Sequence, residues 1–163
     1  MVATDKDIER DRYERRAAAA LEAVDALPVL GAAGIDAEWK RPYVRFEELV
    51  RGLVQPGDSV LDLCCGDGQF SFVAAESGAR ITGLDVSAAS LALAGRRCPE
   101  ELHARTDWRE GDCEQLPFET NTFDGVVCAG GLSYGEWIPV LDELARVLRP
   151  GGWFVAVDSY NHN

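Results

Sequence analysis

Three short segments, Ser59 to Leu63, Phe123 to Ala129 and Trp153 to Asp158, are apolar almost without interruption. Strands with one wet face alternate apolar and polar residues, whereas strands covered on both faces read as continuous apolar runs. A helical pattern follows or precedes each segment, so the strands are expected to run parallel, joined by helical crossovers. The order predicts an α/β protein, a doubly wound and mainly parallel sheet with helices on both faces.

The first strand breaks into Cys64-Cys65-Gly66-Asp67-Gly68 and a helix from about Gly68 to Ser77. Glycines permit left-handed backbone and close approach of a ligand, and a helix opening there aims unpaired N–H groups at it. A second strand, Arg80 to Asp85, is followed by Ser87, an expected N-cap for a helix ending before Pro99. His103 to Arg109 alternates small or apolar residues with Arg105, Asp107 and Arg109, which predicts an edge strand. A helix from about Glu136 to Leu148 is closed by Arg149-Pro150-Gly151-Gly152 before the fifth strand. Upstream, helices are expected over Asp7 to Leu27 and about Pro42 to Val54, with Val29 to Gly34 a loop. At 163 residues one domain is expected, N-terminal helices in 1–56 and a core in 57–163.

In such sheets ligands bind beyond the carboxyl ends of the strands, where strand order reverses. Asp85 ends the second strand nineteen residues past Gly66 (85 − 66). A carboxylate there can accept hydrogen bonds from both ribose hydroxyls, or it can cap the next helix. After the third strand, Asp112 can accept from an exocyclic amine or serve as a turn residue. Gly130 and Gly131 leave room after the fourth strand. Together these positions outline an adenosine-shaped site.

With 28 acidic against 16 basic residues the net charge is −12, which disfavours a nucleic-acid partner. Cys64, Cys65, Cys98, Cys113 and Cys128 show no C-x-x-C spacing, so no metal site is expected and a reducing compartment fits. Met1 to Arg16 is charged, and no stretch approaches the ~20 apolar residues of a membrane span. A cytoplasmic protein without a membrane partner is expected.

From about residue 40 to 160 the chain resembles the class I, Rossmann-like S-adenosylmethionine-dependent methyltransferases. Val60-Leu-Asp-Leu-Cys-Cys-Gly-Asp-Gly68 is similar to their first motif and Ile81-Thr-Gly-Leu-Asp-Val-Ser87 to the acidic second. Gly111-Asp-Cys-Glu-Gln-Leu-Pro-Phe118, Phe123-Asp-Gly-Val-Val127 and Leu144-Ala-Arg-Val-Leu-Arg-Pro-Gly-Gly152 resemble the later ones. The resemblance implies methyl transfer from S-adenosylmethionine, S-adenosylhomocysteine being the product, to a small-molecule acceptor. It implies that Asp62 and the backbone near Cys64, Gly66 and Gly68 hold the methionine end, and that Asp85 binds the ribose. Val86 would pack on the adenine, Asp112 and the Cys113 backbone would read its amine, and Ala129 to Tyr134 would face the methyl group and acceptor.

Two departures stand out. Many members carry glycine where this chain has Cys64, so the turn must accommodate a side chain. The family's sheet usually continues beyond the fifth strand, whereas this chain stops at Asn163. A truncated form is expected, or else a second copy or the N-terminal region covers the fifth strand's edge. A truncated or non-catalytic cofactor-binding domain and an NAD-dependent oxidoreductase are the rival readings. No catalytic base is assigned: Tyr134, Glu136 and His162 lie near the expected site, and His103 reads as structural. Trp39 and Tyr43 suit a lid, or simply helix packing.

Overall fold

The structure, a computed structural model, describes residues 5–22, 31–38 and 40–158. Its elements run α1 (Asp5–Glu22), α2 (Lys40–Leu53), β1 (Ser59–Leu63), α3 (Gln69–Glu76), β2 (Arg80–Asp85) and α4 (Ala88–Arg97). Then follow β3 (Thr106–Glu110), β4 (Phe123–Ala129), α5 (Trp137–Val147) and β5 (Leu148–Val157), with short 3-10 turns at Gly31–Gly34, Glu100–Arg105 and Leu132–Tyr134. The strands form one parallel sheet in the order β3-β2-β1-β4-β5. The chain winds outward from β1 in one direction, then returns to β1's other side, which places the switch in strand order between β1 and β4.

The pleat divides the apolar runs between two cores. Val60 and Val127 face one layer with Phe46, Val50, Phe72 and Val73, contributed by α2 and α3. Leu61, Leu63, Val126 and Cys128 face the other, against Val140, Leu144 and Val147 of α5. Phe72 is fully buried, and burying a side chain of that size contributes roughly 1.5–3 kcal/mol. Ser87 caps α4, its hydroxyl accepting the Ser90 N–H at 3.0 Å.

Three expectations need correction. The third strand starts at Thr106, not His103, because Pro99 opens a 3-10 turn over Glu100–Arg105. His103 Nε2 there lies 3.0 Å from the Cys98 carbonyl, a structural role. The fifth strand takes in Leu148 to Gly152 as well, pairing through a register shift around Phe123 and Gly125. Among the described residues it is an edge strand, and its residues are half-buried or exposed rather than covered on both faces. The side chains of Trp153, Val155 and Val157 pack on the core that contains Phe46 and Val50 of α2, so the N-terminal region covers one face of β5. Among the described residues no strand pairs with its outer edge. Residues 23–27 of the first expected helix and 29–30 of the following loop lie outside the described residues, as do Trp39 and His162.

Candidate functional site

A cavity of about 220 Å³ opens beyond the carboxyl ends of β1, β2 and β4. Its floor is the turn after β1, where Cys64, Gly66 and Gly68 all take left-handed backbone, with φ of 56°, 54° and 81°. A non-glycine residue pays about 1–3 kcal/mol for such a conformation, so Cys64 is held there by its surroundings. At Gly66 an added Cβ would meet nothing within 4 Å, which leaves the backbone open to a ligand. Gly68 serves packing instead: a Cβ there would collide with Trp108 and Phe72.

Asp62 lines the cavity although it is only 2% exposed. Ser71 Oγ donates to its Oδ2 at 2.5 Å. Burial pushes the Asp62 carboxyl up to about 7, the Ser71 hydrogen bond opposes this, and the neighbouring charges of Asp85 and Asp67 add to it. Asp85 accepts the Gly66 N–H at 2.8 Å on Oδ2 and the Ser87 N–H at 2.9 Å on Oδ1. Burial raises its pKa against those backbone hydrogen bonds. The side chain thus braces the turn and the start of α4 while still facing the cavity.

Val86, Cys113 and Ala129 line the same cavity, together with Cys64 and Gly66. Gly111 and Cys113 line the wall, whereas Asp112 between them does not; its Oδ1 accepts the Glu114 N–H at 2.9 Å, the turn role. At the β4 end the wall is Ala129, Gly130 and Gly131. Of the bases considered, Tyr134 closes the 3-10 turn after β4, and Glu136 is exposed with its N–H on Glu114 Oε1. The Cys64 thiol is pulled down by Cys113, but Cys128 and burial outweigh this and raise it well above the ordinary value. All five cysteines are free thiols.

The N-terminal segments contribute side chains that sequence reasoning passed over. Arg10 and Tyr13 of α1 line the cavity, as do Ile35, Gln69 and Phe70. Glu14 fastens α1 in place: Ser87 Oγ donates to its Oε2 at 2.5 Å and the Ala89 N–H reaches it at 3.2 Å. Arg96 adds a bond to the Leu21 carbonyl at 2.8 Å. The alternating charges of α1 read as a solvated face, and nothing local distinguishes Arg10 or Glu14 from its neighbours. Tyr43 both packs and lines the cavity, its ring stacked on Phe70 with centroids 5.7 Å apart. Among the described lining residues, Arg10 is the one cation facing Asp62, Asp67 and Asp85.

A parallel sheet with its cavity at the strand-order switch, and carboxylates at the carboxyl ends of β1 and β2, defines a class I, Rossmann-like cofactor-binding protein. Residues 60–152 match the family described as "Methyltransferase domain", and the chain belongs to the S-adenosylmethionine-dependent methyltransferases of that class. It is 38% identical over 132 residues to a 2-phytyl-1,4-naphtoquinone methyltransferase of Synechococcus elongatus, covering 78% of this chain and 54% of the relative. A ubiquinone/menaquinone biosynthesis C-methyltransferase of Rubrivivax gelatinosus is 34% identical, with 92% and 57% covered. The chain therefore spans about half the length of these curated relatives. Among solved structures, the [4+2]-cyclase SpnF superposes with a TM-score of 0.74 at 25% identity, covering 96% of this chain and 61% of that one. A cyclase on the same fold shows that the scaffold alone does not define the reaction.

Proposed function

We propose that the chain binds S-adenosylmethionine and transfers its methyl group to a small, oxygenated ring acceptor of the quinone class. The observation that carries the cofactor half is the buried Asp62 and the half-buried Asp85, on either side of a glycine turn open to a ligand. The residues present fit the cofactor. Asp62 suits its ammonium, Arg10 its carboxylate, Asp85 the ribose hydroxyls, and Leu84 with Val86 the adenine face. Asp112 and the Cys113 backbone are assigned to the adenine amine. When bound, the cofactor supplies a methyl group already activated on a sulfonium. The chain's own contribution is then positioning and exclusion of water, worth up to about 7–11 kcal/mol in well-oriented reactions.

The acceptor class is supported by the relatives' names, two of which specify quinones. The net charge of −12 argues against nucleic acid. No helix among the described residues is long and apolar enough to cross a membrane. Five free thiols favour a reducing, cytoplasmic compartment, and a second copy of the chain suits the outer edge of β5.

Calorimetry with S-adenosylmethionine, S-adenosylhomocysteine and NAD tests the cofactor reading, and binding of NAD alone overturns it. Asp85→Ala should cost roughly 1.5–3 kcal/mol of cofactor affinity, because hydrogen bonds to a charged acceptor are lost. Release of S-adenosylhomocysteine in the presence of a reduced naphthoquinone tests turnover. Cofactor binding without turnover on any ring acceptor identifies a binding domain rather than an enzyme.

A further inference from the structure

Tyr43 occupies a position that cofactor binding does not account for. Its hydroxyl lies where a Cβ on Gly130 would sit 3.4 Å away, so it hangs over the backbone just past β4. That is the opposite end of the cavity from Val86, Gly111 and Cys113, the end assigned to the adenine. The ring is held by packing: it stacks on Phe70 at an interplanar angle of 21°, and Phe70 is itself held edge-on by Phe46 at 5.1 Å. Asp158 lies close by, its carboxylate anchored by the Ser133 N–H at 2.9 Å and hydroxyl at 3.2 Å. Burial, then the charge of Asp158 and the proximity of Tyr13 and Cys128, push the Tyr43 phenol above its ordinary value. A phenol in these surroundings keeps its proton. It donates a hydrogen bond and does not act as a base.

We propose that the Tyr43 hydroxyl is the acceptor's polar anchor, donating a hydrogen bond to a ring oxygen of a flat, oxygenated aromatic substrate held against the backbone at Gly130. This rests on the methyltransferase reading and adds to it a residue and a recognition rule. Gly130 has no side chain, and only the Tyr43 hydroxyl lies within 4 Å of where its Cβ would be, so its backbone is open for a planar ring to lie against. Tyr13, Tyr43 and Phe70 supply the apolar and aromatic remainder. One donor at the rim of such a slot fixes the ring's rotation, and with it the atom presented toward the methyl group.

The test compares wild type with Tyr43→Phe, which keeps the ring on Phe70 and removes only the hydroxyl. Each protein, saturated with S-adenosylhomocysteine, is titrated anaerobically with 1,4-dihydroxynaphthalene and with naphthalene, and binding is followed by fluorescence. Wild type should favour the dihydroxy compound by roughly three- to tenfold, the usual net worth of one hydrogen bond. Tyr43→Phe should lose that preference while its affinity for S-adenosylhomocysteine stays unchanged. A preference retained in Tyr43→Phe, or absent in wild type, overturns the proposal and leaves the cofactor reading standing. Failure of wild type to bind S-adenosylhomocysteine by calorimetry overturns both.

Discussion

Cys64 shows how one side chain can be locked into a conformation that its own chemistry disfavours. Its φ of 56° would suit glycine, and its neighbour across the cavity floor is Gly131. Gly131 has φ −111° and ψ −20°, angles open to any residue, so its lack of a side chain is a matter of space. A Cβ there would collide with Cys64 Cβ and stand 2.9 Å from its Sγ and 3.2 Å from Cys128 Sγ. Gly131→Ala should therefore cost about 1–3 kcal/mol, as overpacking does. Cys64→Gly removes the obstructing atoms, so the double variant should recover part of the loss, with a coupling of about 0.5–3 kcal/mol. Urea unfolding of all four proteins measures this, and additive costs would mean that the two residues do not share the space. The need for the turn to accommodate a side chain was legible in the sequence. The identity of the residue that makes room was not, because Gly131 is distant in sequence and reads equally well as space for a ligand.

At the scale of elements, the sheet's outer strands are seated by a repeated device. Gly83 of β2 is paired in register with Trp108 of β3, and Gly125 of β4 with Trp153 of β5. In each case an added Cβ would run into the indole, 2.5 Å from Trp108 Cζ3 and 2.7 Å from Trp153 Cδ2. The inner-strand glycine is thus the socket for the edge strand's tryptophan. Gly125→Ala should cost about 1–3 kcal/mol in thermal unfolding and weaken amide protection first in β5. No loss would show that the indole can rotate away freely. The bounds of β1, β2 and β4 were readable because glycine, proline and aspartate punctuate them, and in β1 and β4 both faces are apolar. The start of β3 was not, since the 3-10 turn after Pro99 carries the same alternating pattern as an edge strand. The apolar run of β5 suggested a strand covered on both faces, but its residues are only half-buried or exposed, and among the described residues no strand pairs with its outer edge. Least legible was the clasp of α1 on α4. Glu14 takes up the Ser87 hydroxyl and the Ala89 N–H at a helix start that lies 73 to 75 residues downstream of it. Glu14→Ala should cost about 1 kcal/mol, as loss of a cap does, and should speed hydrogen exchange along α1. Glu14→Gln, which keeps an accepting oxygen, should restore most of the protection; a variant as slow to exchange as wild type would show that packing alone holds α1.

For the molecule as a whole, the buried carboxylates couple folding, pH and cofactor. Asp62 keeps its proton up to about pH 7 in the folded chain, and Asp85 is raised in the same direction, burial being the main cause for both. Unfolded, both release their protons at an ordinary value of about 4. Between these limits the native state binds more protons than the unfolded one, so stability falls as pH rises from about 4 to about 7. The net charge of −12 at neutral pH adds self-repulsion in the same sense. Asp124 and Glu143 act in the opposite sense at lower pH. At Asp124 burial is the largest single influence, but the hydrogen bonds from Arg149 and the Ser59 N–H and the charges of Arg149 and Arg80 together outweigh it. The Arg146 hydrogen bond leads at Glu143, so both carboxyls lie below their ordinary values and their contribution is lost on acidification. The cofactor-free chain should therefore be most stable near pH 4–5 by the same linkage, and Asp62→Asn should flatten the decline above it. Thermal unfolding across pH 3 to 8 measures both; a stability that climbs from pH 5 to 8 in the wild type would contradict the assignment of Asp62. The same carboxyl gives cofactor binding a proton signature. An ammonium group beside Asp62 favours the ionised form, so binding near pH 6 should expel close to one proton. Calorimetry in two buffers of different ionisation enthalpy counts that proton directly. Asp62→Asn should bind more weakly and release none, whereas an equal release from the variant would move the ammonium site away from Asp62.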